Sequence, residues 1–93
     1  MLMNDGTQAD SHLLQEMIDR LTVRYGEIMS AKDAWRELGF ASEMALHRAY
    51  SRRTFDLHMF HIQGRRGRYA LSRDVASWIM KQRSTRPDNA EIL

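Results

Sequence analysis

Residues 42–72 constrain the fold more than any other part of the chain. Six of the twelve arginines lie between Arg48 and Arg68, and Asp56 is the one acid among them. The stretch reads as a short helix over 42–53, a β-like segment over 57–62, the loop Gly64-Arg65-Arg66-Gly67-Arg68, and a second short strand over 69–71. At 100° per residue, Leu46, Ala49 and Tyr50 line the inner face of the helix, while Met44, Arg48, Ser51 and Arg52 centre on the outer one. Arg53 falls towards the inner side, but at the helix end it swings out and counts as a phosphate contact. Gly64 and Gly67 bracket two arginines, and glycine tolerates the positive φ of such a loop. A helix with arginines outward, followed by an arginine-tipped hairpin, suits a grip on duplex DNA.

The charge distribution agrees. The net charge is only +2, yet residues 1–43 hold eight acids and four bases, a balance of −4, and residues 44–86 hold ten bases and two acids, a balance of +8. Twelve of the fourteen bases are arginine, whose fixed fork matches phosphate and guanine. Ninety-three residues make one domain, near the lower limit for unassisted folding. No apolar run approaches the ~20 residues that cross a membrane. The start has neither the basic nor the apolar region of a signal peptide. The absence of cysteine fits a reducing compartment. A cytoplasmic protein, nucleoid-associated when bound to DNA, is the expectation.

Upstream, residues 1–9 are polar, contain Gly6 and read as a flexible tail. An amphipathic N-terminal helix over 10–25 follows, with Leu14, Met17, Ile18 and Leu21 at helical spacing. That stripe suits packing on the domain's own core. Leu14, Leu21 and Ile28 are also seven apart, which suits a homodimer seam through Leu14, Met17, Ile18 and Leu21. Gly26 ends the helix. A second begins at the N-cap Ser30 with Asp33 in its first turn. Ala31, Ala34, Trp35 and Leu38 share one face, and Lys32 and Arg36 point away. Gly39 supplies a tight bend, Phe40 plugs the angle, and Ser42 caps the arginine helix. In 57–62 both sides are partly apolar, and Phe60 and Ile62 are favoured as inward. Ser72 caps a last helix with Val75, Trp78, Ile79 and Gln82 on its core face. Residues 84–93 read as a second flexible tail.

Four stretches together resemble the small winged helix-turn-helix proteins of the MerR-like and excisionase group from mobile elements. They are residues 29–40, Leu46-His47-Arg48, Gly64-Arg65-Arg66-Gly67-Arg68-Tyr69 and Asp74-Val75-Ala76-Ser77-Trp78-Ile79. The resemblance implies a mainly α fold with a small β-hairpin, a winged helix-turn-helix over 28–83. It implies a double-stranded DNA partner, with a role as transcriptional regulator or excisionase-type recombination directionality factor. Arg48 would sit where the recognition helix touches DNA, and Arg65, Arg66 and Arg68 would form the wing. The sequence departs from the pattern at Ala41, which precedes the cap, and over 54–61, which lacks the usual Gly and Pro. Ten tail residues cannot supply the long dimerising helix of MerR regulators, so effector sensing is not implied.

The candidate DNA-binding residues are therefore Ser42, Met44, His47, Arg48, Ser51, Arg52, Arg53, Arg65, Arg66 and Arg68. Arg48 would pair with guanine O6 and N7, worth ~1–3 kcal/mol of base discrimination. Met44 would meet a thymine methyl or pack under the N-terminal helix. His47 and Ser51 would reach base edges or phosphates. The loop arginines would grip phosphate or the minor groove, unless the loop is only a solvated turn. No metal or other cofactor is expected: strand alternation sends His58 and His61 to opposite faces, and no cysteine completes a set. Nor is an enzyme or a small-molecule substrate. The basic region lacks paired carboxylates, and no phosphate-cradling glycine loop or nucleophile elbow is present. The alternative is an adaptor that docks an acidic partner protein.

Overall fold

The computed structural model describes the backbone of residues 4–84 and the side chains of residues 11–83. These residues form four helices and a two-stranded antiparallel sheet: α1 (Asn4–Tyr25), β1 (Ile28–Ser30), α2 (Ala31–Glu37), α3 (Glu43–Ser51), β2 (Tyr69–Leu71) and α4 (Ser72–Ser84).

Helix α1 runs through most of the stretch read as a tail. It spans 22 residues, about 33 Å at 1.5 Å per residue. Gly6 costs a helix interior only ~1 kcal/mol, which a long helix absorbs. Residues 1–3 of the expected tail lie outside the described residues, as do 85–93 of the second; Ser84 itself belongs to α4. The apolar stripe of α1 faces inward. Leu21 is wholly buried, and Leu14, Met17 and Ile18 pack against the core, with α4 as the main neighbour. Gly26, at φ +91°, turns the chain out of the helix.

β1 was not foreseen as a strand. It pairs with β2 in the register Ile28↔Leu71, Met29↔Ala70, Ser30↔Tyr69, burying Met29 and Ala70 on the inner face. The ladder continues beyond both ends, through Ala31 N–H to Arg68 O (2.8 Å) and Ser72 N–H to Glu27 O (2.8 Å). The expected strand over 57–62 contributes a single bridge. Phe60 and Tyr69 exchange N–H···O bonds of 2.8 and 2.7 Å. So β2 completes its ladder with β1, and the expected hairpin partner touches it at one residue.

The inward side of that segment is also the reverse of the one favoured. Phe55, Leu57 and Met59 are buried (6%, 5% and 5% exposed), while Phe60 and Ile62 are half-buried and His58 is exposed. The alternation begins at Phe55, which fixes the phase. Its ring packs edge-on between Phe40 and Trp78, with centroids 5.1 Å from each. Phe60 instead stacks with His58 (5.9 Å).

The bends around α2 and α3 follow from one capping geometry. After α2, Gly39 N–H reaches Arg36 O (3.1 Å) and Phe40 N–H reaches Trp35 O (3.0 Å), with Gly39 at φ +87°. After α3, Arg53 N–H reaches Tyr50 O and Thr54 N–H reaches Ala49 O, both at 3.1 Å, with Arg53 at φ +61°. Both are Schellman closures, the second made without glycine. α3 is thus shorter than the helix expected over 42–53. It is held at its start by Ser42, whose Oγ accepts from Ala45 N–H (3.0 Å). Ser30 sits at the N-cap of α2 but makes no such bond; its hydroxyl lies 3.4 Å from Asp33.

Ser72 does not cap α4 as anticipated. Its hydroxyl, with no exposed surface, donates to Gly26 O at 2.6 Å and ties the start of α4 to the α1–β1 corner. Val75, Ala76 and Met80 form the buried face of α4, whereas Gln82, assigned to that face from the sequence, is exposed.

Candidate nucleic-acid interface

The arginine loop is held beside α3 by side chains, not by sheet pairing alone. Arg68, at the end of the loop, lays its guanidinium 4.7 Å over the Tyr50 ring and places Nη1 3.2 Å from His47 Nδ1. A guanidinium only donates, so Nδ1 accepts and the imidazole proton sits on Nε2. That nitrogen then donates to Glu43 Oε2 at 3.1 Å. The Tyr50 hydroxyl reaches Met59 O (3.4 Å), joining the same cluster to the chain that enters the loop. Within the loop, Arg65 N–H bonds Ile62 O (2.9 Å), and Gly64 and Gly67 carry φ of +83° and +85°. His61 Nδ1 lies 3.0 Å from Gly67 O across the loop.

The ten candidate residues divide accordingly. Arg48, Ser51, Arg52, Arg53, Arg65 and Arg66 are exposed. Among the described residues, no carboxylate lies within ion-pair distance of their five guanidiniums. Arg65 rests 6.0 Å from the Tyr69 ring. Met44 is 60% exposed, so it does not pack under the N-terminal helix. Ser42 uses its hydroxyl in the cap. His47 and Arg68 are half-buried and hold one another, so both act first as positioning residues. Glu43 and Tyr50 complete that cluster and were not singled out from the sequence. The four-residue spacing of Glu43 and His47 was the available signal for one of them.

A groove of about 340 Å³ separates the start of α2 from the loop, with Lys32, Glu43, Arg66 and Arg68 on its walls. Lys32 therefore joins the basic surface, although the helical pattern alone had set it aside.

Among the described residues, two titrating groups are displaced, neither on the walls of this groove. Asp56 is held below the ordinary carboxylate value of 3.8. The main cause is the hydrogen bond from Lys81 Nζ (3.1 Å), followed by that from Trp78 Nε1 (2.9 Å). Tyr25 is raised above 10.0, chiefly because its hydroxyl donates to Glu37 (2.8 Å). No cluster of three or more potential metal ligands occurs among the described residues. No helix among them is long and apolar enough to cross a membrane.

No family model, curated protein or solved structure matches the chain.

Proposed function

We propose that the protein is a sequence-specific duplex-DNA-binding protein with a winged helix-turn-helix of the MerR-like and excisionase kind. It would act as a transcriptional regulator or as a recombination directionality factor. In this reading α2 and α3 are the helix-turn-helix, α3 enters the major groove, and the 64–68 loop is the wing. The supporting observation is the Arg68–His47 contact at 3.2 Å. It seats a loop bearing two unpaired arginines beside a helix that bears unpaired Arg48 and Arg52. Arg48 reads a base edge, Met44 offers an apolar contact to a thymine methyl, and Ser51 reaches a base edge or phosphate. Arg52, Arg53, Arg65 and Arg66 neutralise phosphates. One short helix and one wing cover few bases, so two copies on adjacent half-sites are needed for a unique address.

Binding-site selection on the purified protein, followed by affinity measurements on the selected duplex, tests this reading. Arg48→Ala lowers discrimination between sites by ~1–3 kcal/mol at one position, whereas Arg65→Ala weakens all duplexes about equally. A protein that shifts no duplex at low salt, yet is captured by an acidic protein, is an adaptor and not a DNA-binding protein.

A further inference from the structure

A second basic surface lies beyond the groove. The end of α1, the outward side of α2 and the first residues of α3 enclose a cleft of about 540 Å³. Three cations line it: Arg24, Lys32 and Arg36. Two of them are laid on aromatic rings, Arg24 at 5.5 Å from the centre of Tyr25 and Arg36 at 5.0 Å from that of Trp35. Stacking of this kind restrains a guanidinium while leaving its N–H edges free for an oxyanion.

Two acids, Asp33 and Glu43, share the cleft walls with the three cations, a formal balance of +1. Glu43 is bonded to His47 (3.1 Å), and Asp33 lies 3.4 Å from the Ser30 hydroxyl. Glu37 is held by Tyr25 (2.8 Å) and Arg20 (3.5 Å) of α1. Among the described residues, none of the three cations forms an ion pair. Lys32 and Glu43 line both this cleft and the groove beside the arginine loop. The two therefore adjoin one another at Lys32 and Glu43.

We infer that the cleft binds backbone phosphates of the same duplex, flanking the segment read by α3, with Arg24, Lys32 and Arg36 as the contacting groups. Tyr25 and Trp35 hold two of these in place. The inference rests on the DNA-binding reading and gives α1 a part in it: its packed stripe carries Arg24 to the edge of the cleft. Unlike a base contact, such a clamp strengthens binding to every sequence alike.

The test compares Arg24→Gln/Arg36→Gln with Arg65→Ala/Arg66→Ala in the full chain, titrated with one selected duplex over a KCl series. Each phosphate contact contributes about 0.9 to the log–log salt slope. The cleft variant is therefore shallower than wild type by about two, with its site preference intact. A wild-type slope in the cleft variant, beside a shallower one in the loop variant, overturns the inference and leaves DNA binding standing. Wild-type protein that binds no duplex overturns both. Ethylation interference on the wild-type complex covers the case of a variant that fails to fold. Interfering phosphates beyond those assigned to α3 and the loop are expected, and their absence refutes the clamp. In a Trp78→Phe background, Trp35 fluorescence that responds to an acidic peptide and not to duplex also refutes it.

Discussion

The contact between His47 and Arg68 makes a prediction that needs no DNA. Arg68 donates to His47 across 3.2 Å and stacks on Tyr50 at 4.7 Å. A hydrogen bond from a charged donor is worth ~1.5–3 kcal/mol when enclosed, and an exposed cation–π contact ~0.5–1 kcal/mol. Both side chains are half-buried, so solvent screening reduces each contribution. Arg68→Ala should cost about 1.5 kcal/mol, and His47→Ala about 1 kcal/mol through its bonds to Arg68 and Glu43. The one bond they share appears as coupling. The double variant should be more stable than the sum of the singles implies by ~0.5–1 kcal/mol. Urea unfolding of the four proteins, followed by tryptophan fluorescence, measures this, with equal m-values showing that compactness is unchanged. Nitrogen chemical shifts of the ring should also show Nδ1 bare and Nε2 protonated. Additivity within ~0.3 kcal/mol, or a proton on Nδ1, would contradict the proposed attachment of loop to helix.

Three further outcomes follow from single residues. Ser72→Ala removes the buried donor to Gly26 O and should lower stability by ~1–3 kcal/mol; denaturant midpoints check it. Arg53→Gly relieves a left-handed backbone at φ +61°, raising stability by ~1 kcal/mol while removing a phosphate contact, so thermal melts and DNA affinity should move in opposite directions. Asp56 has a folded pKa below its ordinary 3.8. Its stabilisation is full above that value and is lost as pH falls through the lowered one. Wild type should therefore melt above Asp56→Asn at neutral pH and converge with it under acid, and a gap unchanged at low pH would contradict the link to Lys81 and Trp78.

Apart from the start of α1 and the end of α3, the helices were readable from the sequence because their signals are local. Ser42 is followed by a helix it caps, Gly39 supplies the one conformation the bend requires, and a 100° step per residue separates buried Leu46 from exposed Arg48. β1 carried no such signal. Three residues are too few for a period, and Ile28–Ser30 becomes a strand only because residues 69–71 arrive beside it. The same holds for 57–62, where both faces carry apolar groups and only the seat of Phe55 between Phe40 and Trp78 decides which turns inward. At the candidate interface, exposure of Arg48 and Arg52 followed from periodicity. The commitment of His47 and Arg68 to one another did not, because their contact spans 21 positions and joins a helix to a loop. Arg53 was placed by continuing the helix two residues past its end at Ser51. Its true position, the left-handed residue after the cap, is one that sequence rules reserve for glycine.

The most direct test is the salt dependence of binding to a selected duplex by the unmodified chain. The exposed arginines beside α3 and in the loop contribute four phosphate contacts and the cleft three, about seven for each bound copy. The logarithm of the binding constant should then fall against that of KCl concentration with a slope of about −6 for each bound copy. Duplex binding with a slope near zero, or no binding at low salt, would contradict the claim that these guanidiniums converge on a double helix.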